Sequence, residues 1–275
     1  MPCRESSELI SAVMGVRYRR ASTEPLLRAV ESILRQTHKE LELIICERDS
    51  TEQARAALRE LSARDDRVIL VDGSAARSFS EQLNICLKAA RGKWIARMDD
   101  DDFSHPQRFE KQLAFLREHD DVAFVGCNCE LMQDGGIIGV QKFPEYPEPR
   151  DFLFNQPFIH PSVMFRREAL EAASGYSELK RCNRCEDFDL FMRLYLKGYR
   201  GANLQTPYFT YTLPANGVTT RNFTDRVNEM KTRFVCFRRC GMLPKALPYV
   251  VKPLVVWLLP RRLLAAMKRK RNLKQ

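Results

Sequence analysis

The chain has 275 residues, of which 44% are hydrophobic and 29% are charged, and its formal net charge is +10. This length and composition suffice for a large domain with a buried core and exclude a low-complexity chain. Its nine cysteines follow an N-terminus without the apolar stretch that secretion requires, so we expect reduced thiols in the cytoplasm. A zinc site at Cys182-x-x-Cys185 and Cys127-x-Cys129 is a less favoured use of four of them.

The positive charge is concentrated at the C-terminal end. Residues 230–275 contain 13 Lys or Arg residues and no Asp or Glu, and subtracting 13 from +10 leaves the first 229 residues with −3. We therefore expect a folded domain over 1–229 and a basic tail over 230–275. Such a tail is expected to meet an anionic surface, either membrane or nucleic acid. Nucleic acid is the weaker alternative, because the tail has few aromatic side chains for base stacking.

The first half of the chain predicts strands that alternate with helices. Apolar runs indicate strands at 10–16, 41–46, 68–71 and 93–98. Between them, Ser22 or Thr23 caps one helix, Ala54, Ala57, Leu58 and Leu61 lie on a second, and a third spans 80–90. Helices of this length between strands imply right-handed crossovers and a largely parallel sheet with both faces covered. The expected class is α/β, with a nucleotide-binding first half.

The second half is less regular. It predicts strands at 122–128, 137–141, 162–165 and 208–213, with a hairpin turn at Gly135-Gly136. The prolines of 144–161 indicate a loop that crosses the surface near a site. A helix is expected over 185–197 and begins with Glu186, Asp187 and Asp189. The helix dipole alone favours acidic residues in a first turn, so a purely structural role is the alternative for them.

Four consecutive aspartates, Asp99 to Asp102, are the most informative feature of the chain. They follow the apolar strand 93–98 and precede a helix start predicted at Ser104-His105-Pro106. Adjacent carboxylates repel one another and call for a compensating cation. Mg²⁺ and Mn²⁺ prefer oxygen ligands and are commonly held by one or two carboxylates plus substrate phosphates. A solvated acidic turn is the alternative, but the strand end is where open α/β sheets bind ligands.

The tail contains an apolar run of eight residues, Pro253 to Pro260. This run is too short to span a bilayer, which takes about 20 residues. We expect Pro248, Pro253 and Pro260 to interrupt any long helix. Trp257 and the basic residues that follow it are typical of a segment lying among lipid headgroups. The alternative is that the apolar part packs on the domain and the basic end is solvated.

Five segments together resemble family 2 glycosyltransferases in the family's order. They are 32–37 (SILRQT), 42–45 (ELII), 89–102 (AARGKWIARMDDDD), 160–167 (HPSVMFRR) and 186–190 (EDFDL). The resemblance covers roughly residues 8–215 and implies a glycosyltransferase A fold, with a nucleotide-sugar half over about 8–120 and an acceptor half over about 121–215. It also implies an inverting, Mn²⁺- or Mg²⁺-dependent transfer from a nucleotide sugar, with a UDP-sugar favoured. The acceptor would be a glycan or a lipid-linked molecule in cell-surface polysaccharide synthesis.

The resemblance also implies residue roles. Asp101 would be the metal ligand together with Asp99, and Asp99 and Asp100 would lie near the ribose and diphosphate. Asp187 would be the general base, whereas Glu186 and His160 are candidate acceptor contacts. For His160, a hydrogen-bonded structural role is equally open. Residues of the nucleotide-sugar site would include the first strand end and a position on the third helix, namely Gly15, Val16 and Asn84.

The chain departs from the family pattern at the end of the second strand. The family usually reads Asp-Asp-Gly-Ser there, and its second Asp typically contacts the base, whereas this chain reads Glu47-Arg48-Asp49-Ser50. Glu47 or Asp49 would have to substitute, or the nucleotide is not uridine. A non-catalytic binding protein with a degenerate donor pocket is therefore the alternative to the enzyme. As an enzyme, the protein is expected at the cytoplasmic face of a membrane.

Overall fold

A computed structural model describes residues 8–214 and 221–258. Its first half alternates strands and helices as predicted. The elements are β1 (Ile10–Val16), α1 (Glu24–Leu34), β2 (Leu41–Glu47), α2 (Glu52–Arg64), β3 (Val68–Asp72), α3 (Phe79–Ala89) and β4 (Trp94–Arg97). Strands β3, β2, β1 and β4 are neighbours in this order and pair in parallel. Their carboxyl ends therefore meet at one edge of the sheet, where open α/β sheets bind ligands.

The second half continues the same sheet with mixed strand directions. Its elements are β5 (Phe103–Ser104), α4 (Arg108–Glu118), β6 (Val122–Gln133), β7 (Gly136–Gln141), β8 (Met164–Arg166), α5 (Arg167–Ala172), α6 (Glu186–Leu196), β9 (Arg200–Thr212), α7 (Phe223–Arg239) and α8 (Leu247–Leu258). Strand β8 lies antiparallel between β4 and β6, and the order continues through β9 to β5. The β6–β7 hairpin confirms the turn predicted at Gly135-Gly136.

Helices cover both faces of the sheet. On one face, α1 and α4 bury Leu26, Val30, Ile33 and Phe109 against alternate side chains of β1. On the other face, α3, α6 and α7 bury a second cluster that includes several phenylalanines. Successive residues of a strand point to opposite faces, which is why both sides of β1 are apolar.

The helix start predicted at Ser104-His105-Pro106 is wrong. Phe103 and Ser104 form the short strand β5, which pairs with Thr210 and Phe209 of β9, and α4 begins at Arg108. The pairing with β9 keeps the backbone extended where the sequence alone favoured a cap. It also attaches the end of the aspartate run to the edge of the sheet.

The C-terminal helices are part of the folded body. The predicted domain end at residue 229 lies inside α7, whose Thr232, Arg233, Cys236 and Phe237 are buried. The Phe237 ring lies 5.8 Å from the Phe188 ring of α6.

The prediction that Pro253 interrupts the helix is also wrong. Pro253 is buried inside α8, so packing compensates for the single helical hydrogen bond that its ring removes. Pro260 and the basic residues after it lie outside the described residues. Within 8–214 and 221–258, every helix is too short or too polar to traverse a bilayer.

The cysteines of the described chain are all free thiols, and seven of these eight are buried. Cys182 and Cys185 lie just before α6, whereas Cys127 and Cys129 lie in β6. In the described ranges, no group of three or more His, Cys, Asp or Glu side chains is arranged to hold a metal ion.

Candidate active site

The four aspartates lie where β4 ends, at the carboxyl edge of the sheet, and arginines partly compensate their charge. The Arg97 guanidinium, which is only 1% exposed, forms an ion pair with Asp99. Arg20, from the loop after β1, donates to the Asp101 carboxylate at 2.5 Å. Asp102 is fully buried, and one of its oxygens accepts the backbone N–H of Thr212 at 2.7 Å. Its other oxygen, Oδ2, has no hydrogen-bond partner among the described residues.

These arginines do not neutralise the run. Burial and the charges of Asp101 and Asp99 raise the pKa of Asp100 to about 7. Burial and the charge of Asp99 likewise raise the pKa of Asp101, despite the contact with Arg20. The pKa of Asp102 is raised well above its usual value by burial and then by its neighbours. Burial and mutual repulsion therefore disfavour the ionised form of these carboxylates more than the arginines favour it.

The end of β1 approaches α3 closely. A Cβ on Gly15 would lie 2.8 Å from Cε2 of Phe79, so only glycine lets the Phe79 ring occupy this place. The Phe79 ring in turn packs under the Arg97 guanidinium, 5.1 Å from its centroid. The backbone oxygen of Val16 accepts Nε2 of Gln82 at 3.0 Å. Gly15 and Val16 thus position the helix beside the acidic run.

Several arginines lie at the end of β2. Asp49 has a left-handed backbone (φ 57°) and its carboxylate pairs with Arg17 and Arg19. Glu47 accepts the backbone N–H of Ser50 at 2.8 Å. Glu47 and Asp49, the two candidates to replace the family's base-contacting Asp, are therefore both engaged within the protein. Arg48 donates Nη1 to the Ala76 carbonyl at 2.6 Å, whereas its buried Nε has no partner in the described part of the chain.

The three acidic residues at the start of α6 have different environments. Asp189 is 2% exposed and pairs with Arg181 at 3.1 Å and with Arg193 at 2.6 Å, so its role is structural. Asp187 accepts Nε2 of Gln156 at 3.0 Å and the N–H of Phe188 at 2.7 Å. For Glu186, burial and the charge of Asp187 raise the pKa to about 7.

One cavity of about 570 Å³ connects the two acidic segments. Its lining includes Asp99, Glu186 and the basic side chains Arg17, Arg48 and Arg184. Tyr211 also lines it, and the pKa of its phenol is raised by burial and then by carboxylates of both acidic segments. The aspartate run and the start of α6 therefore both contribute to the lining of one cavity.

Two predicted site residues lie elsewhere. Asn84 exchanges hydrogen bonds with the backbone of Tyr176, at 2.9 and 2.8 Å, and lines a separate cavity between α3 and α5. His160 is buried, its Nε2 lies 2.8 Å from the Tyr176 hydroxyl, and burial lowers its pKa well below the usual range. Both side chains have the contacts of structural residues, which for His160 is the alternative that the sequence left open.

Sequence reasoning missed several residues that line the cavity or contact the acidic start of α6. Gln156 comes from the proline-rich loop, which was expected near the site without any residue being named. Arg184 precedes α6 in a left-handed conformation (φ 64°), and such backbone is concentrated at functional sites. Asp225, at the start of α7, lies beyond the segments that carry the family resemblance.

Comparison with known proteins identifies the family. The model for Glycosyl transferase family 2 matches residues 16–173. The chain is also 32% identical over 271 residues to the putative glycosyltransferase EpsE of Bacillus subtilis, covering 98% of this chain and 96% of EpsE. The chain belongs to glycosyl transferase family 2. Members of this inverting family use nucleotide-sugar donors, so the protein is a glycosyltransferase.

Two further comparisons give a more distant relative and a solved structure of similar fold. The glucosyltransferase WfaP of Escherichia coli, which acts on α-D-GlcNAc-diphosphoundecaprenol, is 25% identical over 222 residues, covering 81% of this chain and 84% of WfaP. Residues 1–349 of Staphylococcus aureus TarS, solved with UDP-GlcNAc, match with a TM-score of 0.67 at 17% identity over 88% of this chain and 72% of that chain. This likeness confirms the predicted glycosyltransferase A fold.

A second solved structure has a similar fold. The mannosyltransferase PcManGT of Pyrobaculum calidifontis, in complex with GDP-Man and Mn²⁺, matches with a TM-score of 0.58 at 17% identity. The match covers 96% of this chain and 79% of PcManGT.

Proposed function

We propose that this family 2 glycosyltransferase is a metal-dependent hexosyltransferase in which Asp101 and Asp99 hold the metal and Asp187 is the general base. The observation that carries the proposal is the cavity that Asp99 and Glu186 share. A transfer reaction needs a site for the departing diphosphate and a base for the attacking hydroxyl within one space. The two acidic segments supply both kinds of group.

The residues present fit a hard divalent cation such as Mn²⁺ or Mg²⁺. Burial, and then the charges of neighbouring aspartates, raise the pKa values of Asp100, Asp101 and Asp102, and Oδ2 of Asp102 has no partner in the described ranges. One or two carboxylates plus substrate phosphates are the usual ligands of Mg²⁺, so a complete protein cage is not required. When bound, the cation would offset the charge that develops on the diphosphate leaving group.

At the start of α6, the Asp187 carboxylate is held from two sides. Gln156 donates to one oxygen and the N–H of Phe188 to the other, so the carboxylate is oriented before an acceptor arrives. It would take the proton from the acceptor hydroxyl as that oxygen attacks the anomeric carbon, and the nucleoside diphosphate would leave from the opposite face. Glu186, with its pKa of about 7, would contact the acceptor.

The substrates are proposed from the relatives. TarS was solved with UDP-GlcNAc, PcManGT with GDP-Man, and WfaP acts on a diphosphoundecaprenol acceptor. We therefore propose a nucleotide-sugar donor, with UDP favoured, and a glycan or lipid-linked acceptor in cell-surface polysaccharide synthesis. Asp99 and Asp100 would lie near the ribose and diphosphate. The side chains of Arg48, Glu47 and Asp49 are already engaged within the protein. Other groups of the cavity would therefore contact the nucleotide base.

The basic C-terminal segment would hold the enzyme at the cytoplasmic face of a membrane. Anionic lipid attracts each Lys or Arg near the surface by about 1 kcal/mol. A lipid-linked acceptor is confined to this surface, so such binding would raise its local concentration. Nucleic acid is not among the proposed partners.

A donor screen tests the proposed function. Purified full-length protein is incubated with UDP-, GDP- and TDP-sugars, and release of the nucleoside diphosphate is measured with Mn²⁺, with Mg²⁺ and with excess chelator. We expect turnover of one donor class that chelator abolishes and Mn²⁺ restores. Turnover unchanged in chelator would reject the metal, and no turnover of any donor would favour the non-catalytic alternative.

A further inference from the structure

Helix α8 presents an apolar stripe at the surface of the molecule. Leu247, Val251, Val255 and Leu258 are each exposed by 44% to 73%, although all four are aliphatic. Their spacing of four, four and three residues places them on one helix face. We call these four residues the α8 stripe. Lys252 is the single charged residue of the whole helix, and its ammonium group turns away to the Phe154 carbonyl and ring.

The opposite side of α8 fixes the orientation of the stripe. Val250 and Pro253 are buried, and Val250 belongs to the same core cluster as Cys236 and Phe237 of α7. The Trp257 ring, near the end of α8, lies 4.9 Å from the Phe223 ring at the start of α7. The two helices thus pack antiparallel along their length. The stripe therefore faces outward.

The positive charge of the sequence after α8 indicates what kind of partner covers the α8 stripe. The 17 residues after Leu258 contain seven Lys or Arg residues and no Asp or Glu. A helix with an exposed apolar face, a tryptophan near its end and a basic sequence after it is typical of elements that lie in a membrane interface. We propose that the α8 stripe inserts into the surface of an anionic lipid bilayer, with the helix parallel to the membrane plane.

The C-terminal end of α8 lies on the side of the molecule where the candidate active site opens. Phe223, which contacts Trp257, precedes Asp225 by two residues, and Asp225 lines the cavity that contains Asp99 and Glu186. The C-terminal end of α8 therefore lies near the start of α7, which contributes to the cavity. Insertion of the stripe would place this side of the cavity at the headgroup level, where the diphosphate of a lipid-linked acceptor lies. This step rests on the proposed function, because it assigns a role to Glu186 and Asp187 as the acceptor side.

Substitutions in the stripe test the proposal without removing α8, whose buried side supports α7. We would prepare V251E/V255E in the full chain and compare its binding to phosphatidylglycerol and phosphatidylcholine vesicles by sedimentation. Ile138→Glu is the matched control, because Ile138 is a similarly exposed aliphatic residue in the β6–β7 hairpin. We expect wild type and the control to bind phosphatidylglycerol vesicles, and V251E/V255E to bind at least about tenfold more weakly, since two apolar side chains lose their burial.

Tryptophan fluorescence tests insertion in the unmodified protein. Trp257 is exposed and the other tryptophan, Trp94, is buried, so lipid contact should report on Trp257 alone. We expect a blue shift with phosphatidylglycerol vesicles and quenching by brominated acyl chains, both lost in Trp257→Phe. Equal vesicle binding by wild type and V251E/V255E, or binding without quenching, would overturn the proposal. So would a wild-type dimer that V251E/V255E dissociates, because a second copy would then cover the stripe.

Donor turnover separates this inference from the proposed function. V251E/V255E should release nucleoside diphosphate from the donor at the wild-type rate in detergent-free buffer, since the acidic residues are untouched. Loss of vesicle binding with normal donor turnover supports the α8 inference. Normal vesicle binding without any donor turnover would leave the α8 inference standing and reject the proposed function.

Discussion

The acidic run after β4 and the acidic start of α6 contribute to one cavity but have different charge environments. In the run, four adjacent carboxylates meet Arg97 and Arg20, and three of them keep raised pKa values. In α6, Asp189 has two arginine partners and Asp187 is held by an amide and a backbone N–H. A bound divalent cation would offset the burial and repulsion that disfavour the ionised carboxylates of the run. The helix instead presents oriented, separately supported carboxylates, which suits proton transfer.

The largest expected effect comes from removing the proposed base. Asp187→Asn should lower turnover by about 10² to 10⁴, the usual contribution of a general base, and leave donor affinity unchanged. Transfer rates at saturating donor measure this. Glu186→Gln is the neighbouring control and should cost less. If Glu186→Gln is the more damaging change, the carboxyl with a pKa of about 7 is the base and the assignment to Asp187 is wrong.

Asp189 should affect stability instead of chemistry. Asp189→Asn leaves Arg181 and Arg193 with an uncharged partner inside the fold, and breaking a buried pair costs about 3 to 5 kcal/mol of unfolding free energy. Urea unfolding measures this. Glu31→Gln, which breaks an exposed pair with Arg35, is the matched control and should cost less than about 1 kcal/mol. Equal costs for the two variants would contradict the structural role of Asp189.

The smallest expected effect concerns Arg20. Arg20→Gln removes an ion pair whose arginine is half exposed, so it should strengthen Mn²⁺ binding to the donor-free protein by no more than about fivefold. The physical reason is that the cation no longer competes with a guanidinium at Asp101. Mn²⁺ titration by electron paramagnetic resonance checks this. Weaker Mn²⁺ binding in the variant would contradict the competition between Arg20 and the metal.

The sequence predicted the parallel first half because each strand and helix there has its own local pattern. Apolar runs, caps and helix periodicity are read over a few residues, and β1 to β4 appear within one or two residues of their predicted bounds. The aspartates at a strand end were likewise a local signal. The antiparallel insertion of β8 and the strand β5 depend on pairing with distant segments, which no local pattern records.

The contacts within the site were harder to predict for the same reason. Arg20 and Asp101 are 81 residues apart, and Gln156 meets Asp187 across 31 residues. His160 and Asn84 lie away from the cavity because both form hydrogen bonds with Tyr176. Tyr176 belongs to a segment with no recognisable motif, so the sequence did not indicate these contacts. The sequence predicted that three prolines would interrupt the C-terminal segment, and burial outweighed that signal at Pro253 of α8.

Calorimetric titration with the donor's nucleoside diphosphate tests the central claim most directly, namely that the aspartate run holds the metal and α6 supplies the base. Wild type, Asp101→Asn and Asp187→Asn would each be titrated with Mn²⁺ present and with excess chelator. The account predicts metal-dependent binding in wild type and Asp187→Asn, and binding at least about tenfold weaker in Asp101→Asn, because an amide compensates a divalent cation poorly. Equal affinity in all three proteins, or affinity unaffected by chelator, would contradict it.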